Sequence, residues 1–450
     1  MNSRYDLTDE RSPTMQATET DNGYARQRIS RAFRMIGIAV AVSAIVVNPW
    51  VGSLYRGDIV NYADVMLNYF CFAIICSALI FLSSFFLSKF ASKWAERVAL
   101  LILVMSMIVL SDRLLLARLG LPLWIADRKN HFKHRPNSIR KSQGVIVRIN
   151  RYGQHDDDFP LEKASSEFRG LMLGDSITMG HGVSRDDTFS AQLENDLRSK
   201  DGDKRAFQII DAGVQGYSTF QEYNVLVDSL KFAPDLIAVQ FCLNDLTEPF
   251  VVEKRFGGTG VHYQGVAEEP TGIVSFLVNE TGYGRVVQEY LNRGKTVENE
   301  RRWEIYDTKK AAASPINDPT FSESWRVTLS YLDKIYSLAQ EKNIRVLLII
   351  APHTYQMVDE RLRQPQQILT EHAHSRGVDV LDLTPIFDQL IFDRKVVTSL
   401  QDQGFSETEI EGLYEQRIGK YFLDQDHYTP EGHRVVADQL FKYIIDKYTF

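Results

Sequence analysis

Two stretches of the chain, Met35–Tyr55 and Val65–Ser88, carry no charge at all. At about 1.5 Å per helical residue, each is long enough to cross roughly 30 Å of hydrocarbon. A third run begins at Val98, but Asp112 and Arg113 interrupt it before Leu114–Leu116. A charge held in hydrocarbon is costly unless it reaches an interface or a partner. Residues 26–127 are therefore expected to be a membrane segment of two to three transmembrane helices, at 35–55, 65–88 and 98–117. The competing reading is a set of buried core helices. The first run starts too late, and too many runs follow it, for a cleaved secretory signal. The polar residues 1–25 ahead of it read as a disordered tail.

Charge placement gives an expected orientation. Arg26, Arg28, Arg31 and Arg34 crowd the start of the first run, and Lys89, Lys93 and Arg97 lie between the second and third. The 56–64 loop offers only Arg56. By the positive-inside rule the N-terminus and the 89–97 loop face the cytoplasm, so a third crossing would carry the rest of the chain outside. The basic stretch 128–141, with Arg128, Lys129, Lys133, Arg135, Arg140 and Lys141, pulls the other way. A large following domain translocates largely regardless of such charge. The expected location is thus a bacterial inner membrane with an extracytoplasmic soluble domain. Residues 128–165 read as a basic connector, solvated or lying against anionic headgroups.

From about residue 145 the pattern becomes α/β. Short apolar runs at Arg169–Leu173, Phe207–Asp211, Leu236–Phe241, Arg345–Ile350 and Val378–Leu381 read as buried parallel strands. Helix-period stretches at 187–199, 219–231, 324–341, 363–376 and 430–447 alternate with them. The alternation predicts right-handed crossovers and a parallel sheet covered on both faces. Residues 246–322 break the pattern. A connection that long reads as an insertion acting as a lid or binding wall, or as an elaborated surface. The net charge of −7 gives no electrostatic case for nucleic acid. Three cysteines, Cys71, Cys76 and Cys242, make neither a disulfide framework nor a zinc site. No metal or cofactor is expected.

In an open parallel sheet, chemistry gathers at the carboxyl ends of the strands. The first strand delivers "GDS", Gly174 to Ser176. The second delivers "DAGVQGYST", with Gly213 and Gly216, and the third "FCLNDL", with Asn244 and Asp245. Near the C-terminus "LDQDHYTPEGH" places His427 on a loop entering a helix that Thr429 would cap and Pro430 would begin. A serine hydroxyl needs a base within hydrogen-bond reach, and His427 has the right proton affinity. Asp424, three residues earlier, can fix the imidazole tautomer. The backbone N–H groups of Ser176 and Gly216 and the Asn244 amide could receive an oxyanion.

These four blocks resemble the SGNH hydrolases, the GDSL-like lipase/esterase superfamily, in a bacterial membrane-tethered branch. The resemblance covers residues 166–450. It implies a flavodoxin-like three-layer α/β/α domain with a parallel sheet, here preceded by the N-terminal transmembrane helical segment. It makes Ser176 the nucleophile, His427 the base and Asp424 its orienting partner. Ser176, Gly216 and Asn244 become the oxyanion donors, with no metal. The implied activity is hydrolysis of an acyl ester, with an O-acetyl group on a cell-envelope glycan as the favoured substrate. The implied partners are the lipid bilayer and an acyl-ester substrate, with a polysaccharide among its carriers. An O-acyltransferase using the same acyl-enzyme, and a catalytically silent glycan-binding or assembly component, are the alternatives. One departure stands out. Cys242 occupies the glycine position of the usual Gly-x-Asn-Asp block, where a side chain bears on the loop carrying Asn244. Among bystanders, His181 reads as a wall residue, and His353, His372 and His374 as packing or solvent-facing. Tyr217 reads as wall or packing, and Asp175 and Asp245 as hydrogen-bonding loop backbones.

Overall fold

A computed structural model describes residues 13–51, 63–90, 92–119, 121, 123–127, 129–142, 144–201, 205–247, 277, 280–292, 307–391, 403–404 and 407–448. The chain divides into two compact units, Met1–Pro122 with Pro270–Leu291, and Leu123–Glu269 with Asn292–Phe450.

The first unit is helical: α1 (Pro13–Val46), α2 (Ala63–Lys89) and α3 (Lys93–Leu119). All three are long and apolar enough to cross a membrane, over Gly23–Val46, Val65–Lys89 and Lys93–Arg118. Small polar contacts join them: Ser30 Oγ donates to the Ser84 carbonyl at 2.9 Å and Ser77 Oγ to the Gly37 carbonyl at 2.8 Å. The first span lies earlier than the expected 35–55. Pro49 disfavours helical backbone at Asn48, so α1 stops at Val46 although apolar residues continue. Residues 13–25, expected to be disordered, extend this helix, since propagation costs far less than nucleation once the apolar segment is helical. Residues 1–12 lie outside the described residues. The third helix runs unbroken through Asp112 and Arg113, whose side chains pair at 3.2 Å. A further helix from the insertion, Gly282–Asn292, belongs to this unit. Most of the remaining insertion, 246–322, lies outside the described residues.

The second unit holds a five-stranded parallel sheet of β5 (Phe168–Leu173), β6 (Phe207–Asp211), β7 (Leu236–Phe241), β8 (Arg345–Ile350) and β9 (Asp379–Asp382). The strand order is β6-β5-β7-β8-β9, the doubly wound order of a flavodoxin-like sheet. Register is direct, for instance Leu171 opposite Ile210 and Ile237, and Val239 opposite Leu348. Alternate residues feed opposite faces. Leu171, Leu173, Ile237, Val239 and Leu348 pack against Leu226, Trp325, Leu332 and Leu369. Met172, Ile209, Leu236, Ala238 and Leu347 pack against Phe189, Leu193, Phe387, Leu440 and Ile444. The first cover is α5 (Thr219–Ser229), α6 (Ser322–Glu341) and α7 (Gln364–Ser375). The second includes α4 (Phe189–Asp201) and α8 (Pro430–Lys447). This is the expected three-layer sandwich.

The expected connector is not a linker. Two antiparallel hairpins occupy it, β1 (Trp124–Asp127) with β2 (His131–His134) and β3 (Ser138–Ser142) with β4 (Val145–Ile149). The basic side chains serve this fold: Lys129 reaches Asp228 at 2.9 Å and Lys133 reaches Asp127 at 2.9 Å. Such exposed pairs contribute about 0–1 kcal/mol each, whereas a fully buried aromatic contributes about 1.5–3 kcal/mol. Packing therefore dominates: Phe132 lies in a buried cluster with Val214 and Tyr217, whose hydroxyl donates to the Phe132 carbonyl. Tyr217 is thus a packing residue, buried to 1% exposure.

Candidate active site

The site is built at the topological switch between β5 and β7, where neighbouring crossovers leave in opposite directions. After β5 the backbone passes Gly174 and turns into a four-residue helix, Ser176–Met179. A Cβ at Gly174 would stand 2.2 Å from Thr178 Oγ1 and 2.5 Å from Gln240 Oε1, so only glycine fits. Asp175 caps the turn, its Oδ1 accepting from Ile177 N at 2.9 Å. Ser176 opens the helix, and its N–H is among those a helix start leaves without an intrahelical acceptor.

The loop before α8 meets it from the far end of the chain. His427 Nε2 lies 2.8 Å from Ser176 Oγ. Its Nδ1 lies 2.9 Å from both carboxylate oxygens of Asp424. Asp424 Oδ1 also accepts the backbone N–H of His427 at 3.0 Å and of Asp426 at 3.2 Å, which fixes the loop around the imidazole. Thr429 caps α8 by accepting Gly432 N at 3.1 Å, and Pro430 begins the helix, as the sequence predicts. Asp426 Oδ1 stands 3.4 Å from His427 Nδ1. Burial works against charge on His427, but Asp426 and Asp424 overcome it and raise the imidazole to about 9. Burial alone would raise Asp424, yet the hydrogen bond from His427 holds it well below the usual carboxylate range.

The second and third strands complete the cleft. Val214 N donates to the Gly174 carbonyl at 3.1 Å, tying the β6 loop to the serine turn. Gly216 takes φ +73°, and its N–H has no intramolecular acceptor among the described residues. Asn244 Nδ2 donates to Asp175 Oδ2 at 2.9 Å. An amide nitrogen has two hydrogens, so one remains. Asp175 thereby joins the first block to the third. Asp245 Oδ2 accepts the Cys242 N–H at 3.2 Å, so both flanking aspartates bind loop backbones as expected.

The family model of the GDSL-like lipase/acylhydrolases matches residues 172–435. The chain belongs to that family. It is thereby an SGNH-type serine hydrolase. No curated protein matches the chain. Solved structures that align with it include a two-domain esterase active on acetylated mannans, at 14% identity and TM-score 0.34 over 63% of this chain and 50% of that one. The chain therefore spans half the length of that esterase. An acetylxylan esterase from Geobacillus stearothermophilus, represented by a catalytic mutant, aligns at 13% identity and TM-score 0.33, over 63% and 96%. A GDSL-like lipase from Bacteroides thetaiotaomicron aligns at 13% and 0.30, over 62% and 89%.

Against the SGNH pattern, Cys242 proves benign to the backbone. Its φ of −123° is extended, a conformation open to any residue. The thiol is fully buried and lies 3.6 Å from His353 Nδ1, itself buried. Burial pushes the Cys242 thiol well up and pulls His353 down to about 3, so both are held neutral. Cys242, His353 and Asp426, and likewise Asp424, Asp426 and His427, are close enough to hold a metal ion. The second group is already committed: both His427 nitrogens are hydrogen-bonded, to Asp424 and Ser176.

Other histidines divide by depth. His181 packs its ring on that of His427, centroids 4.3 Å apart, and Gln215 Nε2 bonds its Nδ1. That is the expected wall position. His433, in the same block as His427, is structural and accepts Phe189 N at 3.2 Å. His372 sits 3.1 Å from Asp333. Sequence reasoning missed Glu222, buried to 1% exposure on α5, with neither carboxylate oxygen bonded among the described residues. Burial, reinforced by Asp175, pushes this carboxyl well up. The signal was available: positions 219, 222, 226 and 229 form the inward face of an amphipathic helix, and one of them is acidic.

Proposed function

We propose that Ser176, His427 and Asp424 form a catalytic triad, and that the protein is a membrane-anchored esterase cleaving an acyl ester, an O-acetyl group on a cell-envelope glycan being the favoured substrate. The observation that carries the reading is the unbroken hydrogen-bond chain from Asp424 through His427 to Ser176 Oγ. In this mechanism Oγ attacks the acyl carbon as its proton passes to His427 Nε2. The carbonyl π-electrons move onto oxygen. That oxyanion takes the Ser176 and Gly216 N–H groups and the remaining Asn244 N–H as donors. Collapse expels the alcohol, which takes the proton back from His427. Water, activated by the same imidazole, then releases the acid and restores Ser176. Asp424 keeps Nδ1 protonated and compensates the imidazolium without itself taking the proton.

Membrane anchoring is supported by the three apolar helices among the described residues, and an extracytoplasmic hydrolase by that odd number together with Arg26, Arg28, Arg31 and Arg34, which lie within α1 ahead of its uncharged stretch. The test has two arms. The full chain is offered aryl acetates, longer acyl esters and acetylated glycans, with and without a sugar acceptor. Free acid with no acylated acceptor supports the esterase, acyl transfer supports the transferase, and no turnover of any ester overturns both. C-terminal reporter fusions check the side: active alkaline phosphatase with dark green fluorescent protein means outside, and the reverse removes the envelope substrate.

A further inference from the structure

The insertion that leaves the sheet after β7 carries the Gly282–Asn292 helix into the helical unit, and the contacts there are specific. A Cβ on Gly282 would lie 2.1 Å from the Asp112 carbonyl oxygen and 2.6 Å from Leu115 Cβ. The missing side chain is what lets the helix start touch the α3 backbone. The first N–H groups of any helix lack intrahelical acceptors. Here Tyr283 N donates to Asp112 Oδ1 at 3.0 Å, and Gly284 N to Thr281 Oγ1 at 3.0 Å. Asp112, the charge that interrupts the third apolar run, thus serves as the acceptor for a helix N-terminus, where the macrodipole favours an anion. The Tyr283 hydroxyl and Ser111 Oγ also bond.

From that seat the helix presents Tyr283, Val286, Val287 and Tyr290 at spacing i, i+3, i+4, i+7, a single face. These residues are 45%, 41%, 55% and 69% exposed. The face is continuous with α3: Ser111, which bonds Tyr283, is flanked along its helix by exposed Met107, Ile108 and Leu114. Those α3 residues are the ones that meet acyl chains if the span crosses a bilayer. Two tyrosines bracketing two valines is the chemistry of the headgroup boundary, where a ring can be apolar at its body and wet at its hydroxyl.

We propose that this helix is a membrane-interfacial element, held on α3 by Gly282 and Asp112, whose Tyr283–Val286–Val287–Tyr290 face rests on lipid at the acyl–headgroup boundary. The inference rests on the reading that α1–α3 cross a membrane. It gives the insertion a role other than a free lid: the chain leaving the Asn244 loop is fastened to the bilayer surface before it returns to α6.

Site-directed spin labelling of the full chain in phosphatidylcholine–phosphatidylglycerol nanodiscs tests it, in a Cys71→Ala, Cys76→Ala background. Single labels go at Val286→Cys, Val287→Cys and Tyr290→Cys, with Leu79→Cys on α2 as the lipid reference and Glu341→Cys as the water reference. Accessibility to oxygen relative to a nickel chelate should be intermediate at all three positions, below the mid-span Leu79 value and well above Glu341. Adding Gly282→Leu should shift the Val287 label toward the Glu341 value while Leu79 stays unchanged; retention of lipid contact would overturn the proposed seat. Water-like labels on the insertion beside a lipid-like Leu79 overturn the inference alone. Exclusion of both reagents means a protein surface covers the face, and overturns it too. A water-like Leu79 removes the membrane reading on which the inference rests.

Discussion

The helical and sheet units spend the same apolar side chains in opposite ways. On α2, Leu79, Phe81 and Leu82 are 43–52% exposed, while on β7 Leu236, Ile237 and Val239 are fully buried. Polar groups invert as well. Between the helices they appear singly, as with Ser43 Oγ and the Tyr69 hydroxyl at 2.9 Å; in a bilayer, the setting proposed for these helices, such contacts would join helices that lack a hydrophobic drive to associate. In the sheet unit they crowd the carboxyl ends of the strands, where Asp424, His427 and Ser176 form one hydrogen-bonded chain and Asn244 bonds Asp175, the neighbour of Ser176. On the proposed reading, chemistry belongs to the carboxyl ends of the sheet, and the helical unit supplies place and attachment.

The largest expected effects test that division. Ser176→Ala and His427→Ala should each lower kcat on an aryl acetate by roughly 10⁶, and Asp424→Asn by about 10⁴. The gap arises because Asp424 orients and compensates the imidazole but transfers no proton. Equal melting temperatures across the three variants and the wild type would show that the losses are chemical. Near wild-type turnover by Ser176→Ala would break the comparison outright, because the carboxyl ends of the sheet would no longer be where the reaction happens.

A step smaller is the oxyanion contribution. Asn244→Ala should cost on the order of 10²–10³ in kcat. Cys242→Gly should leave kcat close to wild type, because the extended backbone at Cys242 does not depend on which residue stands there. Rate measurements on the pair separate the two ideas. Unchanged kcat in Asn244→Ala takes that amide out of the mechanism, and a collapse in Cys242→Gly would mean that the thiol–His353 contact holds the loop.

How much of this was legible follows from the same contrast. Strands β5 to β9 sit within a residue of their sequence positions because each centres on a short apolar run, buried on both faces in the central β5 and β7. Ser176, Asp424 and His427 were legible because four blocks in fixed order are improbable by chance, and the fold brings them into contact. The β1–β4 hairpins were hidden, since strands of four or five residues that expose Lys133 and Arg148 among buried neighbours read as a charged connector. The Asp175–Asn244 bond was invisible because it joins residues 69 positions apart. The seat of the Gly282–Asn292 helix on α3 was hidden for the same reason, and Asp112 looked only like an obstacle to insertion.

The pH profile offers a subtler probe. His427 works as a base only when neutral, so a folded-state value near 9 delays activity until the pH rises toward it. The acid limb of kcat/KM should therefore lie above the ordinary imidazole value of about 6.5. Among the groups that raise it, the Asp426 charge is foremost. Asp426→Asn should move the limb to lower pH, so that at pH 6 the variant retains a larger fraction of its own maximum than the wild type. A limb that does not move would mean Asp426 carries no charge beside the free imidazole.

The smallest expected effect lies in the other unit, and its smallness is the point. Asp112 is buried, paired with Arg113, and accepts Tyr283 N, so it is among the most engaged polar groups of the helical unit. Asp112→Asn keeps an acceptor oxygen for that N–H but removes the negative charge that complements the helix start, a contribution of about 0.3–1 kcal/mol. If the helical unit only positions the enzyme, kcat/KM for a small soluble aryl acetate should stay within about twofold, the range of a substitution outside the reacting groups. Turnover of an ester presented on a vesicle surface should fall further, because attachment of the insertion is what the change weakens. The decisive quantity is the ratio of the two losses. Equal losses on soluble and surface-bound ester would mean that Asp112 reaches the chemistry itself, and the division of labour between the units would have to be abandoned.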